Sequence, residues 1–93
     1  MDEFKARQHA KMHFGIADFR EGKTSLNALL SAVEGAARAV GQVFWEQEIF
    51  ATALDLEQIN ADVVEERRTL RPSERAQVES LISQLEKRLG QVD

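Results

Sequence analysis

Apolar residues recur at every third or fourth position along most of this chain, and this spacing limits its possible folds more than any other feature. The clearest run comprises Leu26, Leu29, Leu30, Val33, Ala37 and Val40. Residues spaced in this way lie on one side of an α-helix, whereas a strand needs alternating apolar and polar positions. The 93 residues also include one proline and five glycines, so few positions interrupt a helix. The pattern predicts an all-α fold.

Four helical segments are predicted from this spacing and from the residues that begin and end helices. They run from about Phe4 to Arg20, from an N-cap at Thr24 or Ser25 to Gly41, from Val43 to Arg68, and from Pro72, with Arg71 or Ser73 as the cap, to Gly90. Short connections place successive helices antiparallel. We therefore expect one domain over residues 1–93, a compact antiparallel bundle of about four helices. Whether residues 1–12 fray or form a separate arm stays open.

Several kinds of function lack the residues that they need. The chain has no cysteine, which excludes a thiolate nucleophile, a disulfide framework and a cysteine metal site. The glycines are scattered singly, and no serine stands in a motif with a histidine and an acid. No apolar run approaches the roughly 20 residues of a membrane span. We therefore expect a cytoplasmic protein with no membrane contact, no catalytic residues and no cofactor.

His9 and His13 stand four residues apart, on one face of the first predicted helix. That spacing can hold a zinc ion when a third ligand is close. Zinc peptidases place a glutamate directly after the first histidine, whereas this chain has Ala10 there. We interpret both histidines as ordinary surface residues near the chain end and expect no metal.

Four arginines cluster around the end of the third predicted helix: Arg67, Arg68, Arg71 and Arg75. Such a cluster can meet phosphates, but it adjoins an acidic segment and has no aromatic residues interleaved with it. Cations near the carboxyl end of a helix also interact favourably with the helix dipole. We therefore interpret the cluster as a solvated helix end and expect no direct contact with nucleic acid.

The formal net charge of −4 is unevenly distributed along the chain. From Glu34 to Glu66 there are eight acidic residues and one basic residue, Arg38, which gives −7, so the remaining residues carry +3. On the third predicted helix, carboxylates within about 40° of one another form what we call the acidic ridge: Glu48, Asp55, Asp62 and Glu66. Two interpretations follow: a solvated face paired with Arg20, Arg38 or the arginines after the helix, or a surface that binds a basic partner.

Phe50 and Leu54 are a second unusual feature of the third predicted helix. The apolar side of this helix comprises Trp45, Ile49, Leu56 and Val63, with Ala53 and Ile59 at its edges. Phe50 and Leu54 point roughly away from that side. Either the helix is central and packed on both sides, or these two residues are exposed. Exposed apolar residues bordered by carboxylates are typical of the energetic centre of a charged protein interface.

A further pattern extends over about residues 14–90 and consists of single residues in a fixed order. It reads Ile16-x-x-Phe19-x-x-Gly22-x-x-Ser25-Leu26-x-x-Leu29-Leu30, then Trp45, then Leu56-Glu57-x-Ile59-x-Ala61, then Leu70-x-x-x-Glu74-x-x-x-Val78. This order resembles a group of small helical immunity proteins that accompany bacterial contact-dependent growth inhibition toxins and related polymorphic toxins. The resemblance implies a protein that binds the C-terminal domain of its own strain's toxin in the cytoplasm and blocks its active site. It implies no shared catalytic residues.

Many toxins of these systems are nucleases with basic substrate clefts, to which the acidic ridge offers carboxylates in place of phosphates. We therefore hypothesise a monomeric immunity protein in a 1:1 complex with a basic nuclease domain. The predicted partner-binding residues are Glu48, Phe50, Leu54, Asp55, Asp62 and Glu66. The alternative hypothesis is a homo-oligomeric scaffolding or regulatory module without a toxin partner, in which the extra apolar residues form the seam between copies.

Overall fold

Four helices contain most of the residues that the computed structural model describes, residues 3–91. Helix α1 is Glu3–Arg20, α2 is Leu26–Val40 and α4 is Pro72–Gln91. Helix α3 is composite: it consists of the α-helical turn Gln42–Phe44, the π-helical segment Trp45–Ile49 and the α-helix Phe50–Glu66. No strand occurs among the described residues. The predicted all-α bundle of about four helices is confirmed.

The helices are arranged in a ring, so that α1 and α3 lie diagonally across the bundle. Helix α2 packs against both α1 and α3, and α4 also contacts both. The Cα radius of gyration is 13.0 Å, close to the ~13 Å of a compact domain of about 100 residues. Within residues 3–91, no helix is long and apolar enough to cross a bilayer.

Helix α1 is held by buried residues along much of its length. Met12 and Ile16 are buried, in keeping with the apolar spacing, and Gln8 and His9 are buried as well. Residues 3–12, for which the sequence left fraying or a separate arm open, are continuous with the rest of α1. The helix ends at a turn in which Gly22 has a φ of 76°, a left-handed conformation that glycine adopts without strain.

Helix α2 begins where the chemistry of helix caps predicts. Of the two candidates for the N-cap, Ser25 takes the role, because its Oγ accepts a hydrogen bond from the backbone N–H of Ala28 at 3.1 Å. The buried residues of the helix are Leu26, Leu29, Leu30, Val33, Ala36 and Ala37. Val40, at the end of the predicted apolar side, packs against this core and is partly buried.

The π-helical segment of α3 is a feature that the apolar spacing did not predict. The N–H of Phe50 donates to the carbonyl of Trp45, five residues back, so this turn holds one residue more than a turn of α-helix. Phe44 and Ile49 are consequently both buried, although in a regular helix two residues at this spacing lie about 140° apart. The ring of Trp45, in the same segment, contacts α2, because the guanidinium of Arg38 lies 4.7 Å from the centroid of this ring.

Part of the arginine cluster closes the turn between α3 and α4. Arg67 ends α3 in the left-handed conformation, with φ 52° and ψ 47°. Arg68 donates two hydrogen bonds to the carboxylate of Glu74, at 2.6 and 2.9 Å, and the N–H of Arg71 donates to the same carboxylate at 2.9 Å. Arg71 is therefore the cap residue before Pro72. The hydrogen bonds from Arg68 and then from Arg71 lower the pKa of Glu74 to about 2.

His9 is not the surface residue that the sequence suggested, and that interpretation is wrong for this histidine. Its side chain is only 5% exposed, and its ring lies 5.5 Å from the ring of Phe44. The Nε2 atom is buried without a hydrogen-bond partner among the described residues. His13 is exposed, as predicted. In the described part of the chain, no group of three or more potential ligands lies together that could hold a metal ion.

Replacing His9 with leucine is expected to stabilise the protein. A buried polar atom that loses its water and gains no partner costs about 1–3 kcal/mol, and leucine also favours the helix. We expect His9→Leu to raise the free energy of unfolding, measured by urea denaturation, by about 1 kcal/mol. His13→Leu is the matched control, since an exposed substitution changes stability by less than about 0.5 kcal/mol. A destabilised His9→Leu protein would contradict the prediction.

Candidate protein-binding surface on the third helix

The acidic ridge lies along the side of α3 that faces α4. At one end, Arg88 of α4 donates a hydrogen bond to Glu48 at 3.3 Å. At the other end, Glu66 pairs with Arg68 and, at 3.5 Å, with Arg71. The hydrogen bond and charge of Arg68 lower the pKa of Glu66. Both ends of the acidic ridge are therefore compensated by arginines of the same chain.

The ends of the acidic ridge are thus paired within the chain, as the first interpretation predicted. Two of the expected partners, Arg20 and Arg38, do not take part in this pairing. Arg20 pairs with Glu79 and Glu86 of α4, at 2.6 and 2.8 Å, and not with α3. Arg38 stacks on Trp45. The observed ion pairs are largely solvent-exposed, and pairs of this kind contribute only about 0–1 kcal/mol each. They position side chains more than they stabilise the bundle.

Asp55 and Asp62, in the middle of the ridge, make no ion pair or hydrogen bond through their side chains within residues 3–91. Both line a groove of about 440 Å³ between α3 and α4, which we call the α3–α4 groove. Its other lining residues carry no charge: Gln58, Ile59, Gln77, Ser80 and Leu81. The structure therefore leaves the two central carboxylates open to solvent and to a partner.

Phe50 and Leu54 are exposed, so the alternative in which α3 is packed on both sides is wrong. Their exposed fractions are 47% and 41%. Phe50 is nevertheless held in place, because its ring meets the ring of Trp45 edge to face, with centroids 5.8 Å apart. Val64, farther along the same helix, is also exposed. Phe50 and Leu54 are one helical turn apart, and neighbouring exposed apolar residues are typical of an interaction site.

The structure brings the six predicted residues onto one helix but not onto one face. Asp55 and Asp62 line the α3–α4 groove, whereas Phe50 contacts Trp45 on the side nearer α2. Phe50 and Asp55 are about 140° apart around the helix axis. A partner that covers the standard ~800 Å² of one protein can span both regions by lying across the solvent-facing half of α3.

Sequence reasoning missed a carboxylate pair that joins α2 to α3. A side-chain hydrogen bond with Glu57 is the main cause that raises the pKa of Glu34 to about 7. Partial burial raises this pKa further, while Arg38 on the same helix lowers it. No sequence pattern relates two acids on different helices, so only the packing of α2 against α3 could reveal the pair.

The Glu34–Glu57 pair is expected to make stability depend on pH. Glu34 has a higher pKa in the folded protein than its ordinary value of 4.5, so folding takes up a proton between these values. The stabilising contribution of the group is therefore full below about pH 4.5 and is lost as the pH rises through about 7. We expect the stability of the wild type relative to Glu34→Gln to fall between pH 5 and pH 8 in urea titrations. An unchanged difference across this range would contradict the prediction.

Comparison with protein-family models, with curated proteins and with solved structures gives no significant match. The candidate surface is therefore defined by the geometry and the charge of this chain.

Proposed function

We propose that this protein is an immunity-type inhibitor that binds the toxic C-terminal domain of a cognate bacterial toxin and blocks a basic active-site cleft. The observation that carries the proposal is the solvent-facing half of α3, where Phe50 and Leu54 are exposed on a helix that carries no cation. Between Gln42 and Glu66 the chain has seven acidic residues and no lysine or arginine. The order of residues shared with small helical immunity proteins supports the same class of function.

An acidic surface suits this task because inhibition must be faster than damage to the substrate. Charges that are complementary across an interface raise the association rate by about 10–10³-fold, and salt reduces the effect. Asp55 and Asp62 are suited to this steering because no arginine of the chain pairs with them in residues 3–91. Charge on its own gives modest affinity, so the exposed apolar residues are needed for a long-lived complex.

We expect the gene directly upstream of this chain's gene to encode a large protein, and the test uses the C-terminal domain of that protein, inactivated by mutation. We expect a tight 1:1 complex whose association rate falls as salt is raised. Co-expression of this chain with the active domain should restore growth. Asp55→Lys together with Asp62→Lys should slow association by at least about tenfold.

A matched control changes the same number of charges elsewhere. Glu3→Lys together with Asp18→Lys alters two exposed acids of α1, on the far side of the bundle, and should slow association far less. Failure of the wild-type protein to bind the toxin domain or to protect cells would overturn the proposal.

Self-association is the second candidate function, because the exposed Phe50, Leu54 and Val64 could form a seam between copies. Charge argues against it. A two-fold symmetric contact places the same surface on both sides, so it would bring the carboxylates of α3 against each other. Sedimentation at micromolar concentration separates the candidates: a monomer removes the self-association hypothesis, and a stable dimer supports it.

A further inference from the structure

Five side chains from α2 and α3 form a continuous feature that we call the α2–α3 patch: Glu34, Arg38, Trp45, Phe50 and Glu57. Arg38 lies over the ring of Trp45, and that ring supports Phe50 from the edge. Glu57 of α3 is near enough to Glu34 of α2 for a hydrogen bond between their carboxyl groups, which raises the pKa of Glu34. Phe50 and Glu57 lie on one face of α3, two helical turns or about 10.5 Å apart. One partner can therefore cover both the exposed ring, which Trp45 supports, and the carboxylate pair.

We propose that the α2–α3 patch is the anchoring point of the complex, where a lysine or arginine of the toxin domain is bound by Glu34 and Glu57 while an adjacent apolar residue packs on Phe50. This inference rests on the proposed function and assigns it a specific part of the surface. The carboxylates of the α3–α4 groove then steer the approach of the two proteins, and the α2–α3 patch retains the partner once it has arrived.

The charges of the α2–α3 patch favour a lysine or arginine of the toxin domain over a second copy of this chain. Glu34, Glu57 and Arg38 together carry an excess of one negative charge when both acids are ionised. One partner cation placed between the two glutamates neutralises that excess and relieves their mutual repulsion. A second copy would instead place the acids of its own α3, a helix with no lysine or arginine from Gln42 to Glu66, against the same pair.

The aromatic part of the patch is suited to a long-lived contact because the side chain of Phe50 has little conformational entropy left to lose on binding. Interface residues with large effects are enriched in aromatic and arginine side chains that are surrounded by contacts excluding water. The ring of Phe50 already has a neighbour in Trp45, which is buried, so binding loses less side-chain entropy than it would in ordering a free side chain. Asp55 and Asp62 have no aromatic residue among the groove residues beside them.

A cation bound between Glu34 and Glu57 has a measurable consequence, the release of a proton. In the free protein, Glu34 titrates with a pKa of about 7 because of Glu57 and burial, against the opposing effect of Arg38. A partner cation favours the ionised form of both acids. Binding at pH 7 should therefore release about 0.5 proton, and the affinity should rise up to about tenfold between pH 6 and pH 8.

The experiment is isothermal titration calorimetry of the full chain with the inactivated toxin domain, in phosphate and in Tris, which differ in ionisation enthalpy. Glu34→Gln and Glu57→Gln should each abolish the part of the proton release that belongs to the pair. Phe50→Ala should weaken binding at least about tenfold, mainly through faster dissociation. Phe14→Ala is the matched control, since Phe14 is an exposed phenylalanine of α1, and its affinity should stay within about twofold of the wild type. Urea titrations establish that each variant is folded.

The outcomes separate the two proposals. If the wild-type protein does not bind the toxin domain, the proposed function is wrong and this inference is wrong with it. If it binds tightly, while Phe50→Ala stays within about twofold of the wild type or both glutamine variants release as many protons as the wild type, only the anchoring role of the patch is wrong. Proton release that disappears in both glutamine variants, together with the loss caused by Phe50→Ala, supports the inference.

Discussion

Deleting Gln58 is expected to destabilise the protein more than deleting Gln47, which should leave a folded bundle. Both residues are exposed glutamines of α3, so neither deletion removes a core side chain. Gln58 lies in the regular α-helix Phe50–Glu66, where the loss of one residue rotates everything that follows by about 100°. Ile59, which packs against the core, would then rotate away from it, and Asn60 would take its place. The turn in which Arg68 pairs with Glu74 would also be displaced.

Gln47 differs because it lies in the π-helical segment Trp45–Ile49. That segment contains one residue more than a turn of α-helix, so the deletion converts it to a regular turn. Phe44 and Ile49 would then be four residues apart and still face the core together. Far-UV circular dichroism and urea titration of both deletion proteins provide the test. Equal destabilisation by the two deletions would show that α3 does not depend on the π-helical segment for its register.

Trp45→Ala is expected to lower the free energy of unfolding by about 3–5 kcal/mol, out of the roughly 5–15 kcal/mol that a domain has in total. Trp45 is buried and is the only tryptophan of the chain. Its removal leaves a large cavity beneath Phe50 and deprives the guanidinium of Arg38 of the ring on which it lies. A protein near the low end of that stability range would be largely unfolded.

Because the variant has no tryptophan fluorescence, its unfolding must be followed by circular dichroism. Trp45→Phe retains an aromatic ring and should lose less stability than Trp45→Ala. Phe14→Ala removes an aromatic side chain that is 70% exposed, so it should change stability by less than about 0.5 kcal/mol. If Trp45→Ala were as stable as Phe14→Ala, the ring would not be the support of the α2–α3 patch.

Features that depend on neighbours in the sequence could be predicted. Ser25 caps α2 because a hydroxyl at that position reaches an N–H three residues later. Gly22 ends α1 because glycine adopts a positive φ without strain. The buried side of α2 followed from the spacing of its leucines. Each rests on local geometry that operates within a few residues.

The candidate surface could be predicted only in part. The sequence identified the helix and showed that it is acidic and carries extra apolar residues. It also predicted that the carboxylates and Phe50 form one surface, whereas the structure places Asp55 and Asp62 on a different side of the helix from Phe50. The π-helical segment is set by the need to bury Phe44 together with Ile49, and that need arises from the surrounding helices. The burial of His9 cannot be predicted from its position near the chain end, because the residue that covers it, Phe44, lies on another helix.

The helical period by itself determined the all-α bundle and the approximate helix boundaries, and the composition determined the negative charge of α3. Both are properties of residues close together in the chain. The tertiary structure alone decided that Phe50 is exposed, that Glu57 raises the pKa of Glu34, and that Arg88 neutralises one end of the acidic ridge. Most of these contacts join residues far apart in sequence, and exposure itself depends on where the other helices pack, so they exist only once the helices are in place.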